Sequence, residues 1–137
     1  GLHFDGWRPD GAAVRGTCND GNAYYYWHGA SGHAGVFATA GAMTQLAQFY
    51  LNTQLPYFVR AMETNVSGRG LGFDCDETFP QGCGHNGFTG TSVWLSRKNN
   101  IGAVLLTNKY YRQEGEPPGN SNEFRRAVYY GILAHRG

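Results

Sequence analysis

The sequence predicts an α+β fold, an antiparallel sheet packed by a C-terminal helix and a further helix. Three observations carry this reading. Thr91 to Ser96 and Ile101 to Thr107 are two β-prone runs joined by the polar Arg97-Lys98-Asn99-Asn100, which reads as a hairpin. Met43, Leu46, Ala47, Tyr50 and Leu51 recur at i, i+3, i+4, i+7, i+8, one apolar helical face. Phe124, Ala127, Val128, Gly131 and Ile132 form a second such stripe near the C-terminus.

The remaining elements follow in chain order. Residues 1–20 are rich in Gly, Asp and Pro and read as an irregular opening segment. Ala23 to Trp27 is an aromatic run expected to form a short strand. Gly29 to Gly35 must be a loop. Thr39 is the expected N-cap of the first long helix. Pro56 opens a shorter helix through Met62, since its missing N–H would be unbonded in a first turn anyway. Gly68 to Gly72 breaks the chain again, and Asp74 to Gly84 is a polar loop. The run Ile101 to Thr107 is nearly continuous in apolar residues, as in a strand covered on both faces. Tyr110 to Gly119 is a charged loop, and Asn120 with Glu123 three residues on resembles a capping box for the last helix. The simplest arrangement of this order has a helix packed on one face of the sheet.

With 137 residues the chain has the size of one domain, and its 41% hydrophobic and 15% charged residues are those of a globular protein. The net charge is +1 with no basic run, which removes nucleic acid and anionic membrane surfaces as evident partners. No apolar stretch approaches the roughly 20 residues of a membrane-spanning helix, and no signal peptide opens the sequence. The three cysteines, Cys18, Cys75 and Cys83, leave two alternatives: Cys75 pairs with Cys83 in an oxidising compartment, or all three are free thiols. No Cys-x-x-Cys spacing occurs, so no zinc site is expected.

The stretch most able to carry chemistry is Gly84-His85-Asn86-Gly87-Phe88-Thr89-Gly90-Thr91-Ser92. A titratable side chain, a small hydrogen-bonding one and a glycine stand directly before a strand. Gly87 has no Cβ to block a ligand's approach, and His85 can donate a hydrogen bond or carry charge. Read from the residues alone, a Gly-rich turn capped by a satisfied histidine fits better.

His85-Asn86-Gly87 resembles the Lys-Thr-Gly element of class C β-lactamases and related penicillin-binding proteins, some of which carry His at the first position. The similarity extends through Gly87 to Lys109, which resembles the family's next two strands and their closing Thr107-Asn108-Lys109. Phe124 to His135 resembles its C-terminal helix. Upstream, Gly70-Leu71-Gly72-Phe73 resembles a strand start. The segment from Ser31 to Ala40 resembles a cleft-lining stretch that leads into a helix.

The resemblance implies roles. His85 is the base or cation facing the cleft, and Phe88 offers a backbone N–H to the oxyanion hole. Asn86 bonds substrate, and Gly87 keeps the strand edge open. Asn108 lies near a substrate carboxylate, and His33 sits on the cleft rim. It implies no metal and no organic cofactor, and a family that mostly works outside the cytoplasm. Its nucleophile lies in Ser-x-x-Lys, where Lys takes the hydroxyl proton. No serine here has a lysine three residues on, and Tyr50-Leu51-Asn52 matches the family's Tyr-x-Asn in letters only, since Tyr50 belongs to the apolar stripe.

The expected function is therefore that of the C-terminal part of a serine hydrolase acting on β-lactams, peptidoglycan peptides or esters. Alone it lacks the nucleophile, which a missing N-terminal half supplies. The alternative is a non-catalytic ligand-binding or relic module that self-associates through an exposed sheet edge as a homo-oligomer.

Overall fold

The computed structural model describes residues 15–110 and 119–136. The reading of residues 1–14, and most of the loop after Tyr110, lies outside them. Contacts divide the chain into two compact units, residues 1–38 with 110–116 and residues 39–109 with 117–137.

In the first unit the expected strand is a helix, α1 (Gly21–Tyr25). Its cause is the cap. Asp20 stands in extended conformation and its carboxylate accepts the Ala23 N–H at 2.8 Å. A satisfied first turn outweighs the strand preference of Tyr24 and Tyr25, because aromatic propensity is a matter of tenths of a kcal/mol. Ala23 and Cys18 are the buried residues here, and Gly29 to Gly35 is irregular as expected.

The second unit holds α2 (Ala40–Asn52), α3 (Pro56–Glu63), β1 (Cys83–Asn86), β2 (Ser92–Ser96), β3 (Ile101–Leu105) and α4 (Ser121–Ala134). The sheet is antiparallel in the order β1-β2-β3. Thr39 caps α2 by accepting the Ala42 N–H, and Pro56 occupies the first turn of α3, both as expected. Arg97, in the β2–β3 turn, donates to Tyr50 O at 3.1 Å and Thr53 O at 2.8 Å. A cation at the negative end of α2 thus bonds carbonyls left without helical partners. Asn100 closes the turn at φ 51°, a left-handed conformation that Asn tolerates.

Helices cover both faces of the sheet, not one. On one face Ala47 of α2 and Met62 of α3 pack with Cys83 and Leu95, and with half-buried Tyr50, Leu51, Val93 and Val104. On the other, Tyr129 of α4 packs with Phe79, Trp94 and Ile101, flanked by Ala103, Val128, Ile132 and Leu133. Strand alternation explains the split, because successive side chains point to opposite sides. Ala103 and Val104 therefore meet different helices, as the continuous apolar run requires. Tyr50 lies in an aromatic group with Phe49, Phe58 and Phe73, consistent with a core role. A Cβ at Gly84 would run into the Phe79 ring and the Val93 carbonyl, so only glycine lets Phe79 lie against β1.

The buried face of α4 is rotated from the expected one. Phe124 is 52% exposed, whereas Arg125 is 3% and Tyr129 0% exposed. Asn120 does cap the helix, accepting from Asn122 N–H and Glu123 N–H.

Candidate active site

His85-Asn86-Gly87-Phe88 lies where β1 turns towards β2. His85 pairs with Val93 and Asn86 with Ser92, so pleating sends the two side chains to opposite faces. His85 is exposed on the α2 side. Asn86 is half-buried on the α4 side, where its Oδ1 accepts from Ser92 Oγ at 2.9 Å.

The turn that follows is held from several directions. Gly87 N–H donates to Thr91 O at 2.7 Å and Gly90 N–H to Gly87 O at 3.0 Å. From the end of β3, Thr107 Oγ1 donates to Gly90 O at 2.7 Å and Lys109 N–H to Thr89 O at 2.8 Å. These two bonds bring Asn108, which is exposed, beside the turn. Gly90 has φ +123°, and a Cβ there would stand 3.0 Å from Lys109 N and Thr107 O. Only glycine combines that backbone with that approach. Phe88 is 55% exposed, with Lys109 Nζ 5.0 Å from its ring centroid, a cation–π distance.

The residue that sequence reasoning missed is Arg125. Its Nη2 donates to Gly87 O at 2.8 Å and Thr91 O at 2.9 Å, and its Nη1 to Asn122 Oδ1 at 2.8 Å. One planar guanidinium thus ties α4 to both ends of the turn around Phe88. Among the described residues no carboxylate pairs with it. Burial pulls the Arg125 pKa down, opposed by Tyr129, yet arginine starts so high that it stays charged. Burial pushes the Tyr129 phenol up, against the opposing influences of Ser92 and Arg125. A signal was available, since Arg125, Val128, Tyr129, Ile132 and Leu133 also recur at helical spacing, with one cation in an otherwise apolar face.

His33 lies in the other unit. Its Nε2 is 3.0 Å from Asp20 Oδ1 and its Nδ1 is 3.1 Å from Ser31 Oγ. The Ala23 N–H, and then His33, hold the Asp20 carboxyl below its ordinary range. Ser31 Oγ is also placed to donate to Ala34 O at 3.4 Å. This set therefore stabilises a turn between α1 and α2. His85, Asn86, Gly87, Phe88 and Asn108 come together in the second unit, and His33 does not share that unit.

A groove of about 310 Å³ runs past Gln48, Leu51, Asn100 and Gly102. It lies at the β2–β3 turn, the end of the sheet opposite His85, and its lining includes neither the residues from His85 to Phe88 nor Asn108 or His33. Its lining includes no pair of groups suited to proton transfer. Among the described residues no cluster of His, Cys, Asp or Glu could hold a metal ion, and no helix is long and apolar enough to cross a membrane.

Comparison with known proteins bears on the family. A family model described as Beta-lactamase matches residues 4–127. A "Putative D-alanyl-D-alanine carboxypeptidase" of Escherichia coli (strain K12) is 28% identical over 145 residues, covering 90% of this chain and 33% of the relative. A protein of the same description from Salmonella schwarzengrund (strain CVM19633) is 28% identical over 161 residues, covering 98% of this chain and 37% of the relative. The chain thus spans about a third of the length of the curated relatives it matches. No solved structure matches. The family match encloses the His85 turn, both strands that frame it and the start of the helix that holds it through Arg125, and on that footing the chain belongs to the Beta-lactamase family.

Proposed function

We propose that this chain forms one wall of an acyl-transfer site in a serine hydrolase and is catalytically incomplete alone. The observation that carries the reading is the turn from Gly87 to Thr91, fixed by Arg125 beneath it and by Thr107 and Lys109 beside it. Catalysis of acyl transfer depends on donors already in place when charge develops on the carbonyl oxygen. A turn held this way presents the Phe88 N–H without a cost of reorganisation. His85 acts as base or cation, Asn86 and Asn108 bond substrate, and Gly87, where a Cβ would strike the Thr91 hydroxyl, lets the turn close. Each oxyanion donor is worth roughly 3 kcal/mol of transition-state stabilisation, and the second donor comes with the nucleophile.

The nucleophile lies elsewhere in the polypeptide, because no serine of this sequence has a lysine three residues on. The substrate class is a peptide or amide carbonyl of the peptidoglycan type, with β-lactams and small esters as relatives of the same chemistry. The names of the matched proteins favour the first.

Incubating the chain with a fluorophosphonate probe and, separately, with penicillin tests this by intact mass. No adduct is expected. A stoichiometric adduct on any serine would place an activated nucleophile inside this chain and overturn the assignment around His85.

One observation favours a second reading, a non-catalytic module that self-associates. Among the described residues β3 is an edge strand, and Leu106 just after it is 47% exposed. An unpaired edge is a template for another strand. Sedimentation at micromolar concentration is expected to show a dimer or larger species on this reading, and a clean monomer removes it.

A further inference from the structure

The second unit contains two thiols that the site does not use. Asp74 and Gly84 exchange both N–H···O bonds, each at 2.8 Å, forming an isolated antiparallel bridge. In antiparallel pairing such a pair is followed by one without hydrogen bonds, whose side chains share a face and whose Cα atoms lie about 4.5 Å apart. The residues one step along from Asp74 and one step back from Gly84 are Cys75 and Cys83. Disulfides span Cα separations of about 4.4–6.8 Å, so this register suits a bridge without backbone movement. Side-chain packing agrees, since Cys75 lies against the cluster that contains Cys83. Both thiols are free in this structure, as is Cys18, which belongs to the other unit.

We propose that Cys75 and Cys83 are a redox site that closes reversibly to a cross-strand disulfide. Cys83 is buried and Cys75 half-buried, so Cys75 is the thiol that an oxidant reaches first. The oxidant is a small-molecule disulfide. The Cys75 thiolate attacks one of its sulfurs and expels one thiolate. The Cys83 thiolate then attacks the Cys75 sulfur, forming the internal bond and expelling the second thiolate. The two protein thiols lose two protons and two electrons, and the oxidant ends as two thiols. Burial pushes Cys83 up to about 12, with Cys75 adding to it, and burial followed by the Asp76 charge raises Cys75. Closure is therefore slow at neutral pH and faster as pH rises, because the thiolate is the reacting form.

The consequence reaches the candidate site. Cys83 and His85 are two residues apart on β1 and share a face of the sheet. The bond ties that strand to the segment before it and reduces the freedom of the unfolded chain.

The test uses the folded chain, oxidised with glutathione disulfide at mildly alkaline pH and then denatured. The number of titratable thiols is expected to fall from three to one, and peptide mapping is expected to join Cys75 to Cys83. The melting temperature of the oxidised chain is expected to rise by about 5 °C. Cys75→Ser, made at the less buried partner, is expected to keep both remaining thiols and show no rise. Three thiols persisting after oxidation, a bond that maps to Cys18, or arrest at a glutathione adduct on Cys75 would each overturn the proposal.

Discussion

Arg125→Met is expected to lower the unfolding free energy by about 3 kcal/mol and to loosen the turn around Phe88. The guanidinium is nearly fully buried and donates to three oxygens, those of Gly87, Thr91 and Asn122. Methionine fills similar space with no donor, so the carbonyls of Gly87 and Thr91 lose charge-assisted bonds worth about 1.5–3 kcal/mol each, partly offset by no longer burying a cation. Arg125→Lys separates charge from geometry. A single ammonium cannot span both the turn and Asn122 as a planar fork does, so lysine is expected to recover less than half of the loss. Urea denaturation gives the energies. Amide exchange at Gly90, whose N–H bonds Gly87 O, gives the local effect. Faster exchange at Gly90 with global stability unchanged would keep the clamp and reduce its energetic weight. Unchanged exchange with full stability would remove Arg125 from the account of the site.

Trp94→Ala is expected to cost about 4 kcal/mol, the largest effect of any single truncation here. Trp94 is 0% exposed and lies between β2 and α4, its ring centroid 5.3 Å from that of Tyr129. Its indole N–H donates to Pro80 O at 3.1 Å, which also ties down the loop before β1. A domain's whole stability is about 5–15 kcal/mol, so the variant is expected to keep its fold with a much reduced margin and to melt well below the parent. Trp94→Phe keeps most of the apolar volume and loses the bond to Pro80, with an expected cost of about 2 kcal/mol. Circular dichroism melting of the pair checks both values. If Trp94→Ala melts with the parent, the packing between the sheet and α4 is not what holds this unit together.

Much of the architecture was legible because it rests on local physics. The β2–β3 hairpin, the caps at Thr39 and Asn120, the proline at the start of α3 and the apolar stripe of α2 each depend on residues close in sequence. The glycines around Phe88 likewise marked a turn needing special backbone, and Gly90 at φ +123° is one. The failures also have local causes. Ala23 to Trp27 is rich in strand-forming aromatics, and the Asp20 cap that makes it a helix is a single residue upstream. The buried face of α4 was misplaced because counting apolar residues treats arginine as an outward-facing group.

What the sequence determined by itself is α2, α3, the β2–β3 hairpin and α4, the caps at Thr39 and Asn120, and a glycine-rich turn before β2, since these follow from backbone preference and side-chain period. What only the tertiary structure decided is which groups serve that turn. Arg125 is 38 residues from Gly87, and nothing local announces that two buried carbonyls need a donor there. The second helical layer on the sheet, the opposite facing of His85 and Asn86, and the register that sets Cys75 against Cys83 are of the same kind. They arise when strands and helices distant in sequence must bury their apolar faces and satisfy their polar groups in one common interior.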